Sequence, residues 1–127
     1  MKTILVTGTS SGIGNQICIQ AAAMNFRVIS VSRNIEPLKD LGGIESFKLD
    51  ITDKDSVDDF VTNLKNRKIK IDILINNAGY LVSELFSETT YDSFKKTFDV
   101  NVFGLAEITR SLIPIINKDG HVINISS

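Results

Sequence analysis

The sequence predicts an α/β fold built on a parallel sheet, and three observations carry that prediction. Short aliphatic and β-branched runs (Thr3–Val6, Arg27–Ser32, Ile44–Leu49 and Asp72–Asn76) recur with amphipathic helical patterns between them. The first run passes straight into a glycine-rich turn and then a helix. Polar residues follow the ends of the later runs, where a parallel sheet collects its ligands.

The turn after the first strand reads Thr7-Gly8-Thr9-Ser10-Ser11-Gly12-Ile13-Gly14. Its glycines let the backbone bend sharply and approach a ligand without a Cβ in the way. The helix beginning near Gly12 aims unpaired N–H groups and the positive end of its dipole at the turn, which favours a phosphate or pyrophosphate. The spacing is G-x-x-x-G-x-G, different from the common G-x-G-x-x-G dinucleotide fingerprint. Taken alone, the octapeptide also fits a structural turn with no ligand.

The first helix is expected from about Gly12 to Met24, with Ile13, Ile17, Ala21 and Met24 at helical spacing and Asn25 as a left-handed stop. The second strand ends at Ser32-Arg33-Asn34. A carboxylate at this place would bind both ribose hydroxyls of NAD. Arg33 instead matches a 2′-phosphate, which favours NADP with NAD as the second choice; a solvated surface arginine is the competing reading. A short helix fits between Asn34 and Gly43, with Pro37 in its first turn.

The third strand, Ile44 to Leu49, leads to Asp50-Ile51 at its carboxyl end. The next helix is capped by Thr52 or Asp53 and buries Val57, Phe60, Val61 and Leu64. Asp55, Asp58 and Asp59 fall on its solvated side, so they form no metal site. The fourth strand ends in Asn76-Asn77-Ala78-Gly79, and a long helix, apolar nearly all round, runs from Phe94 past Leu112 until Pro114 kinks or ends it. A fifth strand is expected at about Gly120 to Ser126.

Composition sets outer bounds. A chain of 127 residues suits one domain that buries roughly two thirds of its unfolded surface. With 14 basic against 15 acidic residues, a nucleic-acid partner is not expected, and the cluster Lys65, Arg67, Lys68 and Lys70 suits a helix end. No apolar run reaches the ~20 residues of a membrane span, and Met1-Lys2 enters a strand directly, so a cytoplasmic protein is the expectation. Cys18 reads as packing, and His121 as a strand-edge residue more readily than a metal ligand.

Four markers in order, T-G-T-S-S-G-I-G from Thr7, N-N-A-G from Asn76, Asn101 within D-V-N-V-F-G, and Asn124-Ile125-Ser126-Ser127, resemble the classical short-chain dehydrogenase/reductase family across the whole chain. The resemblance implies one NAD(P)-binding domain over 1–127, a Rossmann-like doubly wound sheet of about five strands in order 3-2-1-4-5, stopping before the family's sixth and seventh strands. It implies hydride transfer between nicotinamide and a small carbonyl or alcohol substrate. Gly8, Ser10, Ser11, Gly12, Ile13 and Gly14 are then expected at the cofactor phosphates. Ser32 and Arg33 are expected at the 2′-phosphate, Asp50 and Ile51 at the adenine, and Asn77, Ala78 and Gly79 at the adenosine and ribose. Asn101 resembles the active-site asparagine that holds a water, and Ser127 the serine that orients the substrate. Leu81 to Phe86 are expected to give one wall of the substrate pocket.

The family's catalytic tyrosine and lysine lie beyond its serine, where this sequence stops. Tyr91 and Lys95 match Y-x-x-x-K but precede Asn101, so they read as an ordinary helical pair. The chain is therefore expected to be a fragment that binds cofactor weakly and does not turn over. A non-catalytic dinucleotide sensor or a bare structural fragment are the alternatives. Self-association, as a dimer or larger homo-oligomer, is expected through the long helix or through the strand edge at Val122, Ile123 and Ile125.

Overall fold

The computed structural model describes residues 1–126. A five-stranded sheet in order β3-β2-β1-β4-β5 forms its centre, with every neighbouring pair parallel. The strands are β1 (Thr3–Thr7), β2 (Arg27–Ser32), β3 (Ile44–Lys48), β4 (Ile71–Asn76) and β5 (Ile116–Asn124). β1 takes the middle because all five of its residues are buried, as a strand covered on both faces requires.

Alternation along β1 divides its side chains between two cores. Leu5 packs with Ile29, Val31 and Leu74 against α2 (Lys54–Asn66), through Val57, Phe60, Val61 and Leu64, and against α4 (Leu105–Leu112), through Ile108 and Leu112. Phe47 meets Phe60 edge to face at 5.0 Å on the same side. Ile4 and Val6 face the other way, joining Val28, Leu38 and Ile75 beneath Cys18 and Ala21 of α1 (Gly12–Ala23). Cys18 is thus a packing residue, its thiol fully buried and pushed up to about 12 by desolvation, with the Ser30 hydroxyl pulling the other way.

The helix signals act as expected. Asn25 adopts φ 66° just past α1, and Asp53 caps α2 by accepting from the Ser56 amide. Only one 3-10 turn, Glu36–Leu38 with Pro37 inside it, forms between β2 and β3.

Two expectations need correction. The long helix is three pieces: α3 (Tyr91–Phe98), a π-helical segment Asp99–Gly104, and α4, with Pro114 in a 3-10 turn after it. The π segment is where Asn101 sits, and Gly104 there packs so closely that an added Cβ would lie 2.9 Å from the Asp99 carbonyl oxygen. β5 begins at Ile116, not Gly120, and ends at Asn124. Ile116 pairs with Ile71, His121 with Ile73, and the extra residues are absorbed as a register shift. Asp72 fastens this region, accepting from the Thr3 amide and the Asn117 side chain, each at 2.8 Å.

Apolar side chains remain exposed at several places, two of which bear on assembly. Phe98, Val102 and Phe103 are exposed along α3 and the π segment, and Val122 and Ile123 along β5. Among the described residues no helix is long and apolar enough to cross a membrane, and no three His, Cys, Asp or Glu side chains group as a metal site.

Candidate cofactor site

The glycine turn is built by the β4 turn beside it. The Thr7 hydroxyl accepts from the amides of Asn77 at 3.1 Å and Ala78 at 3.0 Å, while the Asn77 side-chain amide donates to the Gly8 carbonyl at 2.9 Å. Gly8 has φ 70°, and a Cβ on it would fall 2.6 Å from the Ala78 Cα. A Cβ on Gly14 would fall 2.2 Å from the Gly8 carbonyl oxygen and 2.5 Å from Asn77 Nδ2. Glycine is required at both places because two backbones and a helix meet there. The third glycine, Gly12, has φ 60° and would place a Cβ in open space, leaving room beside the start of α1 for a ligand's phosphates.

The side of the turn nearer β2 is tied as well. Gly8 donates its amide to Val31 at 2.9 Å, and the buried hydroxyls of Thr9 and Ser30 lie 2.6 Å apart. The turn is therefore tied on both sides by the protein's own groups. Preorganised amides at a helix start, with space in front of them, suit a pyrophosphate.

A cleft of about 730 Å³ opens from this turn along the carboxyl ends of the strands. Its near end holds Gly8, Ser10 and Ser11, and its β2 corner Ser32, Arg33 and Asn34. The floor is Leu49 to Thr52, and the β4 side is Asn77 to Tyr80. The far wall belongs to α3 and the π segment, through Asp92, Lys95, Lys96, Asp99 and Val100. The cleft lies where strand order turns back from β1 to β4, the position at which open parallel sheets bind ligands.

Ser32 is held by donating to the Asn34 carbonyl at 2.7 Å, which leaves Arg33 as the charged group of that corner. Asp50 is a shaped acceptor. Partial burial pushes its carboxyl up, but the Thr52 hydroxyl at 2.7 Å and amide at 2.9 Å, with Arg33 and Lys96 near, hold it below the usual range.

Most of the residues expected at a cofactor therefore line one cleft: Gly8, Ser10, Ser11, Ser32, Arg33, Asp50, Ile51, Asn77, Ala78 and Gly79. Gly12, Ile13 and Gly14 do not line it; Ile13 is 60% exposed on α1, and Gly14 supports the turn from behind. Asn101 lies beyond the cleft lining, and both functions of its side chain are taken by one backbone. It accepts from the Tyr80 amide at 2.7 Å and donates to the Tyr80 carbonyl at 2.8 Å, which pins the chain just after Gly79. Ser127 lies outside the described residues. Leu81, Leu85 and Phe86 are exposed and do not line the cleft, and Phe86 instead leans on Phe94 at 5.7 Å.

Sequence reasoning missed Thr7, whose hydroxyl joins the two turns, and the α3 wall. Lys96 carries no motif, and Lys95 reads only as the helical partner of Tyr91; both fall in the last turn of α3. It also missed Asn76, whose buried amide donates to Thr109 and Asn124, each at 2.9 Å, tying α4 and β5 to β4.

Sheet order, crossover helices and a glycine turn at the switch point define a Rossmann-like α/β domain. Residues 2–127 match the short chain dehydrogenase family, and the chain belongs to it. Its relatives include a fatty acyl-CoA reductase of Acinetobacter baylyi, 35% identical over 99% of this chain and 47% of that protein. A short-chain dehydrogenase from Streptomyces avermitilis superposes with TM-score 0.90 at 38% identity, over 99% of this chain and 49% of the other. A Leptospira borgpetersenii short chain dehydrogenase with bound NAD+ superposes with TM-score 0.92 at 27% identity (99% and 51%), and ElxO with NADP bound with TM-score 0.86 at 27% identity (99% and 55%). The chain spans about half the length of the curated relatives it matches. The family is one of oxidoreductases that bind nicotinamide dinucleotides and act on small molecules.

Proposed function

We propose that residues 1–127 form the cofactor-binding part of an NADP(H)-dependent reductase or dehydrogenase that interconverts a carbonyl and an alcohol. A bound nicotinamide dinucleotide supplies or accepts the hydride. The chain's own residues bind and orient it: the turn from Gly8 to Gly12 takes the pyrophosphate, Asp50 and Ile51 the adenine, and Asn77 to Gly79 the adenosine and ribose. The observation that carries the NADP reading is the β2 corner of the cleft, which presents Arg33 and no carboxylate. A guanidinium there favours a 2′-phosphate by bidentate, charge-assisted bonds.

Proton transfer is a separate matter. Tyr91 is 78% exposed, and Lys95 is paired with Asp99 at 2.6 Å, which supports reading the two as a surface helical pair. We therefore expect the 127-residue polypeptide to bind cofactor without turnover, since a positioned general acid contributes typically 10²–10⁴-fold. Ser127 and Asn101 remain the residues proposed for the catalytic side. We also propose self-association, supported by the exposed apolar residues of α3, the π segment and β5. Light scattering that finds only monomer at high concentration overturns that part.

Titration of the polypeptide with NADPH and NADH, read by nicotinamide fluorescence, tests the main reading. Saturable binding with NADPH at least about tenfold tighter than NADH is expected, as one charge-assisted bond of ~1.5–3 kcal/mol gives. Absence of binding at millimolar NADPH overturns it.

A further inference from the structure

The carboxylate on the cleft floor is held unequally by its neighbour. Thr52 gives both of its donors to one oxygen of Asp50: the hydroxyl reaches Oδ1 at 2.7 Å, and the backbone amide reaches the same atom at 2.9 Å. Two bonds fill the acceptor capacity of that oxygen. Among the described residues Oδ2 accepts from nothing, and no basic side chain pairs with Asp50. The peptide carbonyl is used as well, accepting from the Asp53 amide at 3.0 Å in the turn that leads into α2. Asp50 therefore offers the cleft a single acceptor atom, Oδ2. The next amide, that of Ile51, donates to no backbone carbonyl among the described residues, and Asp50, Ile51 and Thr52 all line the cleft.

We propose that Thr52 is a positioning residue: its hydroxyl fixes the Asp50 carboxylate so that Oδ2 selects a purine bearing a 6-amino group, adenine over hypoxanthine, in the bound dinucleotide. The proposal rests on the cofactor reading above, which puts the base at Asp50 and Ile51. An ionised carboxylate oxygen only accepts, so it pairs with the amino group of adenine and opposes the oxo group of hypoxanthine. The Ile51 N–H has the matching sense, because the adjacent ring nitrogen accepts in adenine and donates in hypoxanthine. With the Thr52 amide alone, the carboxyl can turn about its Cβ–Cγ bond, a broad and roughly two-fold torsion, and present either oxygen. The hydroxyl adds a second tie to the same oxygen and removes that freedom. The acceptor is then ordered before the base arrives, and less entropy is lost on binding.

The test measures dissociation constants of the full chain and two variants for NADPH and for the same reduced dinucleotide phosphate with hypoxanthine in place of adenine. The two ligands share their phosphates, so Arg33 and the glycine turn act alike on both. The unaltered chain is expected to bind the adenine form about tenfold tighter, as one charge-assisted bond gives. Thr52→Val keeps the side-chain shape and the backbone amide but removes the hydroxyl. It should weaken NADPH roughly three- to tenfold, the effect of one side chain left to be ordered on binding, and leave the hypoxanthine form within about twofold. Thr52→Ser keeps the hydroxyl and should restore the ratio. Equal binding of the two bases by the unaltered chain, a ratio unmoved by Thr52→Val, or a ratio that Thr52→Ser does not restore overturns the role of Thr52 while leaving the cofactor reading intact. Thr52→Val that merely disturbed the start of α2 would weaken both ligands together, and that outcome also counts against the role. Failure of the unaltered chain to bind either dinucleotide removes the cofactor reading and the proposal with it.

Discussion

The side-chain amide of Asn77 donates to the Gly8 carbonyl at 2.9 Å, across 69 residues of sequence. The bond lies beside the glycine turn, and Gly14 packs against both of its partners. Asn77→Ala leaves the Gly8 carbonyl without its partner. We expect a loss of about 1 kcal/mol in urea denaturation, together with NADPH binding weakened up to roughly tenfold. Unchanged affinity would show that the turn keeps its shape without this bond.

Gly14→Ala tests the close approach. In an ordinary helix interior the change stabilises by up to about 1 kcal/mol. Here the new Cβ meets the Gly8 carbonyl oxygen at 2.2 Å, and overpacking costs typically ~1–3 kcal/mol. A net loss of stability is expected, with a lower thermal midpoint and weaker NADPH binding, and a raised midpoint would contradict the packing account.

Arg33→Ala should weaken NADPH by about 10- to 100-fold and leave NADH within about twofold, because only the phosphorylated cofactor loses a charge-assisted partner. Isothermal titration with both dinucleotides checks it.

Cys18 offers a chemical test of the α1 core. Burial pushes its thiol from 9.0 to about 12, so the native protein should stay inert to Ellman's reagent near pH 8 and react only on unfolding. The raised native value has a linkage consequence. The folded state keeps a proton that the unfolded state has lost, so stability present below pH 9 should decline as pH climbs toward 12. Cys18→Ala should flatten that decline.

Asp72 contributes on the acid side. Hydrogen bonds from the Thr3 amide, then from Asn117, hold its carboxyl below the usual aspartate range. The stability it contributes is present above the ordinary value of ~3.9 and is lost as pH falls through the depressed one. Asp72→Asn should be less stable than the unaltered chain at pH 7, and the gap should close toward pH 3. A gap independent of pH would assign the effect to packing.

The sheet order came from the family resemblance; strand positions were legible because Thr3–Val6, Arg27–Ser32 and Asp72–Asn76 are largely apolar runs that suit a covered parallel sheet, and α2 because its apolar face repeats at helical spacing. The start of β5 was not, because Asn117, Lys118 and Asp119 look like a loop; partnership with Asp72 and Ile71, which periodicity cannot see, makes them strand. The π segment escaped for a similar reason. A helix that inserts an extra residue keeps its composition, and its signature is backbone pairing. At the site, glycines and turn polar residues exposed the β1, β2, β3 and β4 contributions. The α3 wall stayed hidden, since Lys95 and Lys96 are common surface residues made relevant only by the cleft they line.

Joining Thr7 to Asn77 and Ala78 means that the glycine turn closes only after two stretches 70 and 71 residues apart have met. Closing so long a loop is among the slower steps of assembly for a topology of this kind. If the turn takes the cofactor as proposed, binding becomes a gauge of completed folding: during refolding, NADPH affinity should return with the last phase that restores β1–β4 pairing, not with the early helical signal.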